Sequence, residues 1–287
     1  MKDKSDSILI AGVGEVLWDM LPDGRQCGGA PANVIYHAAR LGAGGVVVSA
    51  VGNDRDGDDL LAFLSGKGVD CSLVARNDLP TGAVTVSLKD GMPSYDIHRP
   101  AAWDAIPYAE PLDALVPRLS AVVFGSLAQR DARSRETIFR VLRHPGLKAL
   151  RLFDINLRQD YYSRETVEAS LQAADVLKLN DEECAVLARL FSIPGDNAAV
   201  VRELASRHGL SHVILTLGAK GSALYDGKSF TEYPVAPCER IVDTVGCGDA
   251  FLAAWCVSFL RGEGADAAMR RATELSAYVA GHKGAMC

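Results

Sequence analysis

A glycine turn followed by a carboxylate lies near the end of the chain, in residues 243–251, Asp-Thr-Val-Gly-Cys-Gly-Asp-Ala-Phe. Gly246 and Gly248 let the backbone turn sharply and leave its amide groups uncovered. The apolar residues 250–260 predict a buried helix behind the turn, whose N-terminus adds unpaired N–H donors and a partial positive charge. Such a turn suits an anion, whereas the carboxylate of Asp249 would repel one.

This conflict disappears if Asp249 is a base beside the point at which negative charge is transferred. Phosphoryl transfer to an alcohol requires a base for the hydroxyl and hydrogen-bond donors around the moving group. The alternative is structural: a tight turn or glycine C-cap, followed by an aspartate that caps the helix. Residues 241–242, Ile-Val, are interpreted as the end of a strand that leads into the turn. The local sequence leaves both interpretations of Asp249 open.

Composition limits the class of protein. The 287 residues, 48% of them apolar, are enough for one large α/β domain or for a domain with a small appendage. The net charge of −6 provides no basic field for nucleic acid. No apolar run reaches the roughly 18 residues that span a membrane, and residues 1–7 lack the apolar core of a signal peptide. We therefore expect a cytoplasmic protein without nucleic-acid or membrane partners.

The cysteines indicate neither a disulfide framework nor a zinc site, because they are odd in number, scattered, and never spaced as Cys-x-x-Cys. The seven are residues 27, 71, 184, 238, 247, 256 and 287. Cys247, inside the glycine turn, is interpreted as a small space-filling residue. A nucleophilic role is not favoured, since no histidine is nearby in the sequence.

The N-terminal part of the chain predicts a strand in residues 8–13 that ends in a glycine turn. A dinucleotide-binding fingerprint would need a third glycine after Gly14, where the chain has Glu15 instead, so a nicotinamide-dependent dehydrogenase is disfavoured. Residues 28–33, Gly-Gly-Ala-Pro-Ala-Asn, place a proline in the first turn of a helix that continues to Leu41. The glycines permit close approach of a ligand, with Asn33 facing back toward them. The alternative is a simple helix start.

The sequence between Cys71 and His98 predicts an antiparallel ribbon. Residues 81–88 and 94–98 alternate in polarity around the hairpin signal Lys-Asp-Gly at 89–91. Together with residues 16–27, this ribbon is expected to form a small sheet that projects over the site. Arg99 closes the ribbon and is either a substrate or phosphate contact or a solvated surface residue.

From residue 120 onward, strands and helices alternate, which predicts a mostly parallel sheet between helices. The predicted strands are 121–124, 149–154, 176–179 and 212–216, with a hairpin at 223–225 and 230–234. The predicted helices include 133–143, 198–208 and 265–280. Ligands bind such sheets at the carboxyl ends of the strands. Polar and glycine residues follow the predicted strands at Asp154, Asn156, Arg158, Asn180, Glu183 and Gly218.

The Gly-Gly-Ala-Pro-Ala-Asn run and residues 243–251 together resemble the two signatures of the ribokinase-like (PfkB) carbohydrate kinases. Residues 14–19, Gly-Glu-Val-Leu-Trp-Asp, and Arg99 look most like the fructokinase branch. The resemblance covers nearly the whole chain in the right order. It implies a three-layer α/β/α fold with a mostly parallel central sheet and a small β lid. It also implies one domain over residues 1–287, with the lid drawn from about 15–28 and 80–99.

The activity implied by the resemblance is transfer of the γ-phosphoryl group of ATP to a sugar hydroxyl, most simply that of fructose. Asp249 would accept the proton of the hydroxyl. The amides of Gly246, Cys247 and Gly248 would hold the developing charge, with Arg158 near the transferred phosphate. The sugar contacts implied by the resemblance are Asp19, Gly28, Gly29, Asn33, Arg99 and Asp249.

The cofactors implied by the resemblance are ATP and Mg²⁺. The nucleotide-side residues would be Lys178, Asn180, Thr216, Gly218 and Gly221. Asn180 and Glu183 match an Asn-x-x-Glu element that helps place magnesium, largely through water, as suits an ion that keeps much of its hydration. The carbonyl groups of Asp243 and Val245 would be near a monovalent cation such as K⁺.

Other readings remain open at this point. The acceptor could instead be ribose, 2-keto-3-deoxygluconate or a nucleoside, and a non-catalytic sugar-binding regulator is a further alternative. No Gly-x-x-x-x-Gly-Lys-Ser/Thr run occurs, which argues against a P-loop enzyme. Val84, Val86 and Leu88 would give the ribbon an apolar face, which suggests a two-fold homodimer through the lid.

Overall fold

The computed structural model describes residues 8–21, 24–89 and 92–287, and these residues form two β-sheets with helices around the larger one. The strands are β1 (Leu9–Val13), β2 (Leu17–Leu21), β3 (Gly24–Gly28), β4 (Gly44–Gly52), β5 (Asp70–Asn77), β6 (Gly82–Lys89), β7 (Met92–Ile97), β8 (Ala121–Gly125), β9 (Leu150–Asp154), β10 (Val176–Asn180), β11 (His212–Thr216), β12 (Ser222–Tyr225) and β13 (Phe230–Tyr233).

The helices alternate with the strands of the larger sheet, as the sequence predicts. They are α1 (Ala30–Arg40), α2 (Arg55–Gly66), α3 (Glu110–Leu115), α4 (Ala132–Leu142), α5 (Arg164–Ala173), α6 (Asp181–Leu190), α7 (Asn197–His208), α8 (Cys247–Leu260) and α9 (Ala265–Ala280). Among the described residues, no helix combines the length and the apolar character that crossing a bilayer requires.

The larger sheet has nine strands in the order β13-β12-β11-β10-β9-β8-β1-β4-β5. The pairs from β11 to β5 are parallel, and the hairpin of β12 and β13 extends the sheet in the antiparallel sense. The polar residues that follow the parallel strands therefore meet along one edge of the sheet. The predicted mostly parallel sheet is confirmed.

Each face of this sheet contributes to a separate apolar core, because successive side chains of a strand point to opposite faces. In β8, Val122 and Phe124 belong to one core, whereas Ala121 and Val123 belong to the other. Helices α4 to α7 cover the first face, and α1, α2, α8 and α9 cover the second. The result is the predicted three-layer α/β/α arrangement, in which strands buried on both faces are apolar throughout.

Helix α8 is apolar around its whole circumference because it packs between α1 and α9. All of the residues from Ala250 to Ser258 are buried. A helix fixed in this way holds its first turn at one place over the sheet edge.

The smaller sheet has the strand order β3-β2-β6-β7, in which β2 pairs parallel with β6 and the two other pairs are antiparallel. The ribbon and the segment after β1 thus form one sheet, as predicted. The hairpin turn at residues 90–91 is outside the described residues, as are the side chains of Val86 and Leu88. Val84 is buried, so the prediction that it lies on an exposed apolar face is wrong.

Two sequence interpretations of strands are corrected. The ribbon does not begin at Cys71, because β5 pairs parallel with β4 at the edge of the larger sheet. Residues 241–242 are not a strand end: Ile241 and Val242 are 65% and 51% exposed and lie in an irregular segment. The amide of Val242 donates to the carbonyl of Ala280 at the end of α9, so a helix terminus holds this segment instead of a neighbouring strand.

Candidate active site

The first turn of α8 carries Asp249, and the residue that caps this helix, Gly246, must be a glycine. Gly246 caps the helix at φ +78°, and a Cβ atom there would collide with Ala285. Both facts exclude other residues at this position without strain. Asp249 is only partly buried, at the start of the helix and outside the packed core.

The bare amides at this turn differ by one residue from the predicted set. The N–H of Cys247 donates to the carbonyl of Thr244 at 3.3 Å. The amides of Gly246, Gly248 and Asp249 have no acceptor among the described residues. The positive end of the helix and these three donors therefore remain available to an anion. The thiol of Cys247 has its pKa raised to about 11, first by burial and then by the Asp243 charge, which makes it a poor nucleophile.

The two glycine-containing motifs, which are more than 200 residues apart in the chain, meet at a hydrogen bond. The Nδ2 atom of Asn33 donates to the Oδ2 atom of Asp249 at 2.7 Å. Asn33 is in the first turn of α1, whose cap is Gly29 at φ +113°. A Cβ atom on Gly29 would collide with the carbonyl of Glu15. Glycine is thus required for the close approach of the two chain segments, and Asn33 reaches the candidate base directly.

A buried ion pair lies beneath the start of α8. The Nζ atom of Lys178 is 2.9 Å from Oδ1 of Asp154, and both side chains are buried. Nζ would be only 2.8 Å from a Cβ atom on Gly248, which explains the second glycine of the turn. Burial acts to lower the pKa of Lys178, but the charges of Asp154, Glu183 and Asp249 outweigh it, so the pKa is raised.

The protonation of Asp249 is poised near neutral pH. Burial and the charge of Asp154 raise the pKa of Asp249 to about 6, against the opposing effects of Lys178, Asn33 and Arg158. A carboxylate with this pKa is ionised at neutral pH and is still a stronger base than an ordinary aspartate. Such tuning is what a general base requires.

Arg158 follows β9 and is exposed, and its charge acts on three carboxylates: Glu15, Asp19 and Asp249. Burial raises the pKa of Asp19 to about 6 even though Arg158 opposes it. Asp19 is on β2, opposite Gln26 of the neighbouring strand, and a Cβ atom on Gly28 would collide with its carboxylate. The smaller sheet therefore brings a carboxylate to the same space as Arg158 and Asp249.

Asn180 and Glu183 form a capping box at the start of α6. The Oδ1 atom of Asn180 accepts from the amide of Glu183 at 2.8 Å, and Oε2 of Glu183 accepts from the amide of Asn180 at 2.9 Å. Oε1 of Glu183 accepts from the amide of Leu157, also at 2.9 Å. Both carboxylate oxygens are therefore used: Oε2 closes the cap of α6, and Oε1 joins α6 to the segment after β9. Burial raises the pKa of Glu183 although Lys178 lowers it.

A divalent cation fits this site only if water and substrate supply most of its ligands. Three carboxylates (those of Asp154, Glu183 and Asp249) face two cations, Lys178 and Arg158, so negative charge is in excess. Among the described residues there is no group of three side chains that could hold a metal by themselves. Magnesium, which keeps several waters and uses substrate phosphates as ligands, suits such a donor set, with Asn180 and Glu183 beyond the inner shell.

Replacement Glu183→Gln is expected to destabilise the fold. Glutamine has one acceptor oxygen where glutamate has two, so one of the two partly buried amides loses its partner. An unpaired buried donor costs about 1–3 kcal/mol. Urea unfolding followed by circular dichroism measures this loss, with the exposed neighbour replacement Glu182→Gln as the control. A free energy of unfolding equal to that of the control would contradict the bidentate role.

The predicted nucleotide loop follows β11, the strand next to β10. The hydroxyl of Thr216 is 3.4 Å from the carbonyl of Leu179. Gly221 adopts φ +103°, and a Cβ atom there would collide with the carbonyl of Tyr233. Gly218 adopts φ +56°, and a Cβ atom there would meet no neighbour within 4 Å, so its backbone is open on one side. Gly221 is explained by packing, whereas Gly218 leaves bare backbone at the surface.

Three of the predicted site residues, Arg99, Asp243 and Val245, have no contact with the side chain of Asp249 among the described residues. Arg99 is exposed, and its charge acts on Asp131, the cap of α4; no contact among the described residues joins it to Asp249. The carboxylate of Asp243 accepts from the amides of Val245 and Gly284, both at 3.0 Å, so it anchors the glycine turn to the C-terminal segment. The assignments of Arg99 to the sugar and of the Asp243 and Val245 carbonyls to a cation stay predictions.

Sequence reasoning missed two residues of the site. Asp154 was noted only as a polar residue after a strand, and its partner Lys178 was assigned to the nucleotide. Glu15 is predicted only to interrupt a glycine pattern and to belong to the fructokinase-like residues 14–19, without a role in the site. Its side chain is 3% exposed, and its Oε2 atom has no hydrogen-bond partner within the described part of the chain. An acidic residue directly after a buried strand was the available signal.

A three-layer α/β fold with a carboxylate of raised pKa beside bare helix amides contains the groups that phosphoryl transfer to a hydroxyl requires. The comparisons with known proteins give the same class. The family model for pfkB family carbohydrate kinase matches residues 23–287. The chain belongs to this family and is an ATP-dependent carbohydrate kinase.

Two relatives and one solved structure illustrate the similarity. A putative sugar kinase of Pyrococcus horikoshii is 32% identical over 276 residues, which are 90% of this chain and 84% of the relative. A fructokinase of Escherichia coli is 32% identical over 259 residues, or 84% of this chain and 81% of the relative. The crystal structure of a fructokinase from Xylella fastidiosa with bound ATP aligns with a TM-score of 0.85 at 26% identity, covering 97% of this chain and 94% of the other.

Proposed function

We propose that this kinase transfers the γ-phosphoryl group of ATP to a hydroxyl of fructose. The observation that supports this best is the hydrogen bond from Asn33 to Asp249, because it joins the predicted sugar-side motif to the predicted base. The fructokinase-like residues 14–19 and the similarity to the fructokinase of Escherichia coli favour fructose over other acceptors. The proposal rests on a carboxylate with a tuned pKa placed next to a hydroxyl-binding motif.

Asp249 accepts the proton of the attacking hydroxyl, and the bare amides of Gly246, Gly248 and Asp249 stabilise the charge on the moving phosphoryl group. Arg158 is near enough to lower the pKa of Asp249, and its positive charge would also stabilise the charge on the phosphoryl group. Positioning and charge stabilisation are sufficient, because the transition state of phosphoryl transfer is loose. Magnesium, when bound with the nucleotide, would neutralise phosphate charge, with Asn180 and Glu183 as its outer partners.

The small sheet acts as a lid in this account, within one domain that spans the chain. Asp19 on β2 shares the charge of Arg158 with Asp249, and Gly29, after β3, accepts from the amide of Asn33, which contacts the base. A lid that closes over the sugar excludes water, so that ATP is not hydrolysed instead. We also propose a homodimer through the lid, on the face of this sheet where Met20 is 40% exposed. A monomeric mass in light scattering would rule out the dimer.

A panel of acceptors with ATP and magnesium, read as ADP release, tests the proposed function. Fructose is expected to give the highest kcat/KM among fructose, ribose, 2-keto-3-deoxygluconate and a nucleoside. A higher value for another acceptor would leave the chemistry intact and replace the substrate. ADP release with none of the acceptors would favour the sugar-binding regulator. The same assay with added KCl tests the monovalent cation.

The acid limb of the pH profile reports Asp249. Because the carboxylate form is the active base and its pKa is raised to about 6, kcat/KM is expected to rise with pH through about 6. The hydrogen bond from Asn33 stabilises the ionised form, so Asn33→Ala should move this limb to higher pH. A limb near the ordinary aspartate pKa of about 4 would contradict the assignment.

A further inference from the structure

Glu15 is a buried acid that the proposed mechanism leaves unused. Its side chain is 3% exposed, and its Oε2 atom has no hydrogen-bond partner among the described residues. The backbone amides of Glu15 and Ala30 act to lower the pKa of this carboxyl group, against the effect of burial. An unpartnered buried carboxylate oxygen is costly, so its persistence here requires an explanation.

A second unpartnered atom belongs to the same helix turn. The Oδ1 atom of Asn33 is buried without a partner, whereas the Nδ2 atom of the same amide donates to Asp249. Asn33 is three residues after Ala30, and residues three apart in a helix are neighbours on its surface. A Cβ atom on Gly29, the cap of α1, would collide with the carbonyl of Glu15, so Glu15 lies against the helix turn that carries Asn33.

We propose that Glu15 is a positioning residue whose protonated carboxyl group donates a hydrogen bond from Oε2 to Oδ1 of Asn33. One proton then satisfies both unpartnered atoms, and no proton is transferred in the contact. The hydrogen bond fixes the orientation of the Asn33 amide, because the opposite orientation would turn Oδ1 toward the carboxylate of Asp249. Glu15 thus orients the side-chain amide of Asn33, and Asn33 in turn orients the carboxylate of Asp249. Glu15 therefore acts on the proposed reaction through Asn33.

Burial favours the neutral form of Glu15 up to about pH 7. Burial raises the pKa of Glu15 to about 7; Arg158, after β9, opposes the shift, and Asp249, on α8, adds to it. Above that pH the carboxyl group ionises and loses its donor. A decline of kcat/KM above about pH 7 is therefore expected, in addition to the acid limb of Asp249.

A pair of replacements separates this role from simple packing. Glu15→Gln keeps an N–H donor without a titrating group, whereas Glu15→Leu removes the donor at similar volume. We expect kcat/KM at pH 6.5 to be at least about 10-fold lower in Glu15→Leu than in Glu15→Gln, as one lost hydrogen bond to a buried polar group predicts. Glu15→Gln should also lose the decline above pH 7. Equal activity of the two variants, or an unchanged alkaline decline in Glu15→Gln, would overturn the proposal.

A second measurement requires neither a substrate nor activity, so it can fail independently of the proposed function. In wild-type protein labelled with ¹³C at glutamate carboxyl carbons, the signal absent from Glu15→Gln should titrate near pH 7. In Asn33→Leu that pKa should fall, because the hydrogen bond that stabilises the protonated form is lost. Added apolar surroundings alone would raise it. A pKa that rises or stays unchanged in Asn33→Leu would overturn the contact.

Discussion

Asp249→Asn is expected to lower kcat by roughly 10²-fold or more while ATP and sugar still bind with near-normal affinity. Asparagine has nearly the same shape and can still contact Asn33, but it cannot accept the proton of the attacking hydroxyl. The loss therefore falls on turnover, as expected for an interaction that is made in the transition state. A coupled assay for ADP measures kcat, and calorimetry measures the two binding constants.

The matched control for this replacement is Asp266→Asn. Asp266 is also an acidic residue in the first turn of a helix, but it is exposed and contacts the hydroxyl of Tyr233. Its replacement should leave turnover near the wild-type value. If Asp249→Asn and Asp266→Asn had similar activity, Asp249 would be a structural cap and the assignment of the base would be wrong.

Lys178→Met is expected to cost about 3–5 kcal/mol of folding free energy, because it leaves the buried carboxylate of Asp154 without its partner. The uncompensated charge would also act directly on Asp249, whose pKa Lys178 lowers. The variant should therefore unfold at a clearly lower urea concentration than the wild-type protein. Its acid limb should lie at higher pH.

The double replacement Lys178→Met with Asp154→Leu separates the effect of the broken ion pair from the effect of losing the packing of the lysine side chain. Removing both charges leaves no unpaired ion, so the double variant should be more stable than Lys178→Met alone. Linear extrapolation of urea unfolding gives the four free energies, those of the wild-type protein, Lys178→Met, Asp154→Leu and the double variant. Additive losses in the double variant would mean that Lys178 and Asp154 do not compensate each other.

Much of the fold could be predicted because its local signals agree with one another. The run at 212–216 is short, apolar and bounded by polar residues, and it forms β11 at those bounds. The apolar residues 250–260 had no polar side, as expected for the buried helix α8. The proline and glycines at 28–33 marked the start of α1 within a residue.

The errors came from segments whose local pattern does not reveal their partner. The apolar pair Ile241–Val242 resembles a strand, but the amide of Val242 donates a hydrogen bond to the carbonyl of Ala280 at the end of α9. Strand β5 has mixed burial because it is at the sheet edge, and its polarity resembled that of the ribbon. Val84 packs into the core although it alternates with exposed positions. In each case the deciding contact is with a residue distant in the sequence.

The site was predictable in its residue types and less so in its couplings. The sequence identified Asp249, Asn33 and the glycine turn, and the structure joins the first two by a hydrogen bond. The sequence could not indicate that the amide of Cys247 donates to the carbonyl of Thr244, or that Lys178 is paired with Asp154. Burial and charge proximity set the raised pKa values of Asp249 and Glu15, and neither quantity exists before the chain is folded.

The most direct test of the central claim is ³¹P NMR of wild-type protein and Asp249→Asn, each mixed with ATP, magnesium and fructose. The wild-type sample is predicted to convert the γ-phosphate signal into a sugar phosphomonoester with an equal amount of ADP. The variant should accumulate no more than about one hundredth as much in the same time. Equal accumulation in both samples, or inorganic phosphate as the product of the wild-type protein, would contradict the account.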